Sequence, residues 1–306
     1  MNPLSEKQEL VKQIRALQKE RHAIIIAHNY QIEEVQEIAD ILGDSLELAR
    51  TAARTDAETI VFCGVRFMAE TAAVLNPNRH VLIPDLAAGC PLAEQIDADQ
   101  LRKLKSEHPD AAVVVYVNSS AEVKAEADVC CTSSNAVHVV NALKEEKVIF
   151  APDKNLGRYV SSFTTKELIL WDGFCPTHAK LTKEDVIAAQ EAHPDAIFMA
   201  HPECSPEVLA LADYVFSTGG MFKHVPELAV TKIIIGTEYG MLYRLQKQNP
   251  NKQFFVASPK LVCPNMKRVT LEKIKESLAE NKYEVHVPEV IRLRAKQAIQ
   301  RMLDIV

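Results

Sequence analysis

The sequence predicts an α/β protein made of three pseudo-equivalent αβα, Rossmann-like domains, each with a four-stranded parallel sheet, set around a pseudo-threefold axis. Three observations predict it. One set of landmarks recurs three times in a single register. Short Val- and Ile-rich apolar runs alternate with segments of helical spacing. A Cys-Pro pair closes each of the three units. Continuous apolar runs suit parallel strands covered on both faces, and strands alternating with helices imply right-handed crossovers in a doubly wound sheet. A single continuous sheet of about twelve strands would also use the apolar runs, but it does not account for the shared register.

The elements follow in order. Ser5-Glu6-Lys7-Gln8 reads as a capping box opening a helix with Leu10, Ile14 and Leu17 on one face. The first strands are Ala23–Ala27, Val113–Val115 and Ile197–Ala200, running into His28-Asn29-Tyr30, Tyr116-Val117-Asn118 and His201-Pro202-Glu203. His28, Tyr116 and His201 stand 88 and then 85 residues apart. Asp40, Asp128 and Asp213 keep those offsets and read as helix-to-strand turn residues. So do Ser45, Ser133 and Thr218, and so do Phe62, Phe150 and Ile235 at the third strands. The fourth strands are Val81–Ile83, Leu168–Leu170 and Phe254–Val256. Cys90-Pro91, Cys175-Pro176 and Cys263-Pro264 come next, 85 and then 88 residues apart. His-Pro-Asp-Ala recurs at 108–111 and 193–196. The domains then span 1–108, 109–193 and 194–306. A last helix over 288–306, with Ile291, Ala295, Ala298 and Met302 on one face, is expected to pack the two chain ends together.

Composition narrows the function. The chain has 306 residues, 47% apolar and 25% charged, which is ordinary globular usage. A net charge of −6 argues against a nucleic-acid partner. No apolar run approaches the ~20 residues of a membrane span, and the N-terminus has no signal pattern. A cytoplasmic protein without nucleic-acid or membrane partners is expected. Nine glycines make a glycine-rich phosphate loop a poor expectation. Seven cysteines, an odd number, suggest free thiols, metal ligands or a nucleophile rather than bridges.

About a third of one Cys-Pro pair would be expected by chance at ordinary proline usage, yet three occur, all at one point of the repeat. Around a threefold axis Cys90, Cys175 and Cys263 would converge. Thiolates suit zinc or iron–sulfur clusters. Structural zinc favours local pairs such as C-x2-C, which are absent here, whereas Cys-Pro occurs in iron–sulfur ligation. A [4Fe-4S] cluster on three protein ligands keeps one iron open as a Lewis acid. Cys63, Cys130, Cys131 and Cys204 read as buried apolar thiols.

Ligands of open α/β sheets sit beyond the carboxyl ends of the strands. That places His28, Asn29, Tyr30, Tyr116, Asn118, His201 and Glu203 at the site. Ser45, Ser133 and Thr218, each opening a helix, are either plain N-caps or an anion site with free backbone N–H groups. His178, three residues after Cys175, either faces the same centre or is structural. These residues leave three readings open: a condensing or dehydrating enzyme, a hydro-lyase on another hydroxy-acid, and a non-catalytic iron–sulfur sensor.

Together, H-N-Y at 28–30, G-D-S at 43–45, A-G-C-P at 88–91, Y-V-N-S-S at 116–120, H-P-E-C at 201–204, S-T-G-G at 217–220 and C-P-N-M at 263–266 resemble the quinolinate synthase family over essentially the whole chain. The resemblance implies an enzyme of NAD biosynthesis that condenses iminoaspartate with dihydroxyacetone phosphate to quinolinate, releasing phosphate and two waters. It implies a [4Fe-4S] cluster on Cys90, Cys175 and Cys263, and substrate binding by His28, Ser45, Tyr116, Asn118, Ser133, His201, Glu203 and Thr218. Tyr30, Glu203 and His201 would carry protons, with the Glu203 carboxyl raised toward neutrality by bound anions. An upstream aspartate-oxidising enzyme is the implied partner. One branch of the family carries C-x2-C-x2-C near its last cysteine; here only Cys263 is present.

Overall fold

The computed structural model describes residues 3–305. Helix α1 (Pro3–Glu20) leads into β1 (Ala23–His28), α2 (Glu33–Ile38), β2 (Ile41–Gly43), α3 (Ser45–Arg54), β3 (Thr59–Cys63), α4 (Arg66–Leu75) and β4 (His80–Leu82). After α5 (Ala98–Glu107) the second unit runs β5 (Ala111–Tyr116), α6 (Ala121–Lys124), β6 (Val129–Cys131), α7 (Ala136–Asn141), β7 (Lys147–Ala151), α8 (Lys154–Ser161) and β8 (Glu167–Leu170). After α9 (Lys183–Ala192) the third runs β9 (Ile197–Ala200), α10 (Pro206–Leu209), β10 (Tyr214–Val215), α11 (Thr218–His224), β11 (Lys232–Gly236), α12 (Met241–Gln248) and β12 (Gln253–Val256). Helices α13 (Leu271–Glu280) and α14 (Glu289–Asp304) follow.

Each sheet has four parallel strands in the same order, β2-β1-β3-β4, β6-β5-β7-β8 and β10-β9-β11-β12. The register repeats as well: Ile25 pairs with Val61, Val113 with Ile149 and Phe198 with Ile234. Those strand centres are wholly buried, as two-sided cover by helices requires. The recurring aspartates do one job three times. Asp40, Asp128 and Asp213 each accept from a backbone N–H in the neighbouring first strand, Ile25, Val113 and Phe198, at 2.7–2.8 Å. This pins the start of the second strand, away from the carboxyl ends.

The terminal helices differ from expectation. α1 already runs at Pro3, so Ser5 lies inside its first turn rather than before it; the Ser5 side chain and Val306 fall outside the described residues. α1 packs on α13 and β1, not on α14. α14 instead buries Ala295, Ala298, Ile299 and Met302 against α4, α6 and β6, closing an apolar core that runs through units one and two. The reason is shape: that core has an open flank beside the edge strand β6. Among the described residues no helix is long and apolar enough to cross a membrane.

Candidate active site

The carboxyl ends of the three sheets meet at one cavity. Its wall carries His28, Tyr30 and Ser45 from unit one, Tyr116, Asn118 and Ser133 from unit two, and His201, Glu203 and Thr218 from unit three. Cys90, Cys175 and Cys263 line it too. Of the residues singled out from the sequence for the site, all but Asn29 line this cavity; Asn29 is wholly buried, its Oδ1 accepting from Arg244 at 2.6 Å.

The cysteine loops are tied down alike. The backbone N–H groups of Arg66, Lys154 and Tyr239, just past the third strands, donate to the carbonyls of Ala88, Gly173 and Leu261, two residues before each cysteine. All three thiols are free. Burial pushes the Cys90 thiol up to about 12 and raises Cys175 and Cys263, and neighbouring cysteines add to the rise at Cys90 and Cys175. Buried thiols lining one cavity keep their protons unless a cation draws them off. The donor set thus fits a thiolate-bound metal centre. Cys63, Cys130, Cys131 and Cys204 are fully buried, away from the cavity wall.

The hydroxyl residues are not caps. Asp44 caps α3, accepting from Leu46 and Glu47 N–H at 3.0 and 2.9 Å. Ser217 caps α11 through the N–H of Gly220. α7 begins only at Ala136, three residues beyond Ser133, so the expectation that Ser133 opens a helix is corrected. At α3 and α11 a neighbour takes the capping duty, α7 has no side-chain cap at Asn135, and Ser45, Ser133 and Thr218 face the cavity. Asn118 joins them: its Oδ1 is buried and without a partner among the described residues, which a bound donor would satisfy.

His28 and His201 match across the repeat. Each Nδ1 accepts a backbone N–H two residues on, from Tyr30 at 3.2 Å and Glu203 at 3.3 Å. Burial lowers both rings to about 3, so they are neutral with the proton on Nε2. Each is then a hydrogen-bond donor for an acceptor in the cavity.

A polar chain crosses the third side. Tyr30 Oη meets Thr237 Oγ1 at 2.5 Å, and Thr237 Oγ1 meets His178 Nε2 at 2.8 Å. His178 Nδ1 lies 2.8 Å from Glu203 Oε2, while Tyr116 Oη donates to Glu203 Oε1 at 2.5 Å. Burial alone would raise the Glu203 carboxyl, but His178 and the Tyr116 hydroxyl outweigh it and hold it below the ordinary range. Any rise caused by bound anions starts from this low value, because His178 supplies a counter-group. Glu203 carries the charge. Nearby Asp153, buried and facing Glu203, is raised well above the usual carboxylate range. Tyr30 and Tyr116 are raised by burial and then by Glu203, so both phenols keep their protons.

The chain matches the family model "NadA: Quinolinate synthetase A protein" over residues 12–304. The chain belongs to the quinolinate synthase family. Relatives include quinolinate synthases of Geotalea uraniireducens, 56% identical over 297 residues (97% of this chain and 98% of the relative), and of Thermodesulfovibrio yellowstonii, 53% identical over 297 residues with the same coverage. That of Methanoregula boonei is 52% identical over 294 residues, 96% of this chain and 97% of the relative. The chain is an enzyme with quinolinate synthase activity, in NAD biosynthesis.

Three residues of this quinolinate synthase site escaped sequence reasoning. Thr237 directly follows the third strand of its unit, a position where unit one carries Gly64 and unit two Pro152, so no repeat marked it. Asp44 and Thr177 also line the cavity. Thr177 could have been suspected from its place two residues after Cys175.

Proposed function

We propose that this cavity condenses iminoaspartate with dihydroxyacetone phosphate, releasing phosphate and two waters, on a [4Fe-4S] cluster held by Cys90, Cys175 and Cys263. The observation that carries the reading is that one free thiol from each unit lines the same cavity as the Tyr30–Thr237–His178–Glu203 chain. When bound, such a cluster supplies an open iron, a Lewis acid for a departing hydroxyl.

The protein's own residues divide the rest of the work. Substrate carboxylates and phosphate need donors, and the Nε2–H groups of His28 and His201 and the hydroxyls of Ser45, Ser133 and Thr218 provide them from all three units. Asn118 supplies an amide that can also accept. A loss of water needs a proton given to the leaving oxygen and one taken from carbon. Tyr30 holds a proton on Oη at the cavity wall. Glu203, as a carboxylate, takes the proton lost from carbon, and His178 and Thr237 link it to Tyr30, so that proton replaces the one Tyr30 gives to the leaving oxygen. Tyr116, bonded to Oε1, keeps Glu203 aimed at His178. An aspartate-oxidising enzyme upstream is the partner class that such a substrate calls for.

The test is an anaerobic assay of quinolinate formation with iron measured on the same samples. Product formed in proportion to bound iron supports the reading. Full turnover by iron-free protein would overturn it.

A further inference from the structure

Tyr30 is held at both ends by residues of the third unit. Its hydroxyl meets Thr237, and its backbone carbonyl accepts from Lys267 Nζ at 2.5 Å. Lys267 Nζ is in turn 2.9 Å from Oε2 of Glu238, the residue after Thr237. Glu238 has no exposed side-chain surface and accepts from the backbone N–H groups of Gly240 at 2.8 Å and Cys263 at 3.1 Å. Lys267 and Glu238 do not line the cavity, so they act on the site through the backbones of Tyr30 and Cys263.

Two observations set this ion pair apart. It belongs to one unit only: the positions matching Glu238 hold Val65 and Asp153, and those matching Lys267 hold Glu94 and Ala179. Unit two keeps the carboxylate, Asp153 accepting from the N–H of Cys175 as Glu238 does from that of Cys263, but with Ala179 in the lysine's place, so the cysteine loop does not need the ion pair. The junction is also crowded. A Cβ on Gly240 would stand 2.8 Å from Lys267 Nζ, 2.9 Å from Glu238 Oε2 and 2.9 Å from the Tyr30 carbonyl oxygen, so glycine alone allows the three groups to close on one point. A buried ion pair seldom adds net stability, and its best-attested use is to fix a register.

We propose that Lys267 and Glu238 are positioning residues that clamp the Tyr30 backbone to the segment carrying Thr237, and so set the Tyr30 hydroxyl for proton transfer. The clamp joins unit one to unit three. Without it the phenol keeps its chemistry but loses its fixed distance to Thr237. This inference rests on Tyr30 being a proton carrier.

The experiment compares Lys267→Met/Glu238→Gln, Gly240→Ala and Tyr30→Phe under anaerobic conditions, reading iron content, product affinity, kcat and KM. The paired substitution is used because removing one partner leaves a buried charge uncompensated; Gly240→Ala crowds the junction and changes no charge. Both should retain iron and product affinity, with kcat down about 10- to 100-fold and KM within about twofold, as misplacement of a reacting group predicts. Unchanged kcat in iron-loaded variants, with Tyr30→Phe impaired, would overturn the clamp and leave the Tyr30 assignment standing. Raised KM at unchanged kcat, or loss of iron, would overturn it as well, by assigning the pair to substrate binding or to the Cys263 loop. Full activity of Tyr30→Phe would remove the proton carrier itself, and the clamp's purpose with it.

Discussion

Glu203→Gln is the substitution that separates shape from charge most cleanly. Glu203 is buried and receives two short contacts, Tyr116 Oη at 2.5 Å and His178 Nδ1 at 2.8 Å. Glutamine has nearly the same volume, and its carbonyl can still accept from His178. Its amide must then face Tyr116, whose hydroxyl can rotate to accept rather than donate. The cost is the difference between charged and neutral hydrogen bonds, about 1–2 kcal/mol in all, which the fold tolerates. What is lost entirely is a group that can take a proton and pass it to His178. Turnover should fall by ~10²–10⁴-fold, the usual range for lost acid–base catalysis, with iron content and product affinity close to wild type. Anaerobic product formation normalised to iron measures this. Near-normal turnover in a fully loaded Gln variant would refute the relay to Glu203.

Two further predictions follow from the same geometry. Ser45→Ala, Ser133→Ala and Thr218→Ala leave the caps on Asp44 and Ser217 intact, so folding should hold, while product binding weakens about tenfold or more each, the value of a bond to a charged group; unchanged affinity by titration calorimetry in all three would remove the hydroxyls from the site. His28 and His201 titrate near 3 when folded, against about 6.5 when unfolded. The unfolded chain therefore binds more protons between those limits, and stability, complete above pH 6.5, is lost as pH falls toward 3. By pH 5.5 the loss is about 1.4 kcal/mol per histidine. Urea unfolding of the apoprotein from pH 8 to 4 should show a shallower slope for His28→Asn/His201→Asn than for wild type; equal slopes would mean the rings are not buried neutral.

What the sequence makes legible follows from what repetition preserves. Asp40, Asp128 and Asp213 mark a backbone contact that every unit needs, so they recur and can be read. The cysteines recur because their loops are tied alike to the third strands. Asp97, Thr182 and Thr270 cap α5, α9 and α13 at the same 85- and 88-residue offsets as the cysteines, a signal that was present and would have placed α13. What breaks the symmetry stays hidden. Thr237, His178 and Lys267 have no counterparts in the other units, and their roles depend on contacts across units that no spacing encodes. The pull of His178 on Glu203 is of the same kind: the two are 25 residues apart in sequence and 2.8 Å apart in space. α14 was misplaced because helical periodicity shows which face is apolar but not which open flank receives it.

The central claim is that three thiols, one per unit, hold the metal centre of the condensing site. Its most direct test is iron content and visible absorption of seven single Cys→Ala variants, reconstituted anaerobically. Ala at Cys90, Cys175 or Cys263 should abolish the broad charge-transfer absorption and most of the bound iron, while Ala at Cys63, Cys130, Cys131 or Cys204 leaves both near wild type. Retained iron and absorption in any of the first three, with loss in one of the other four, would contradict the account.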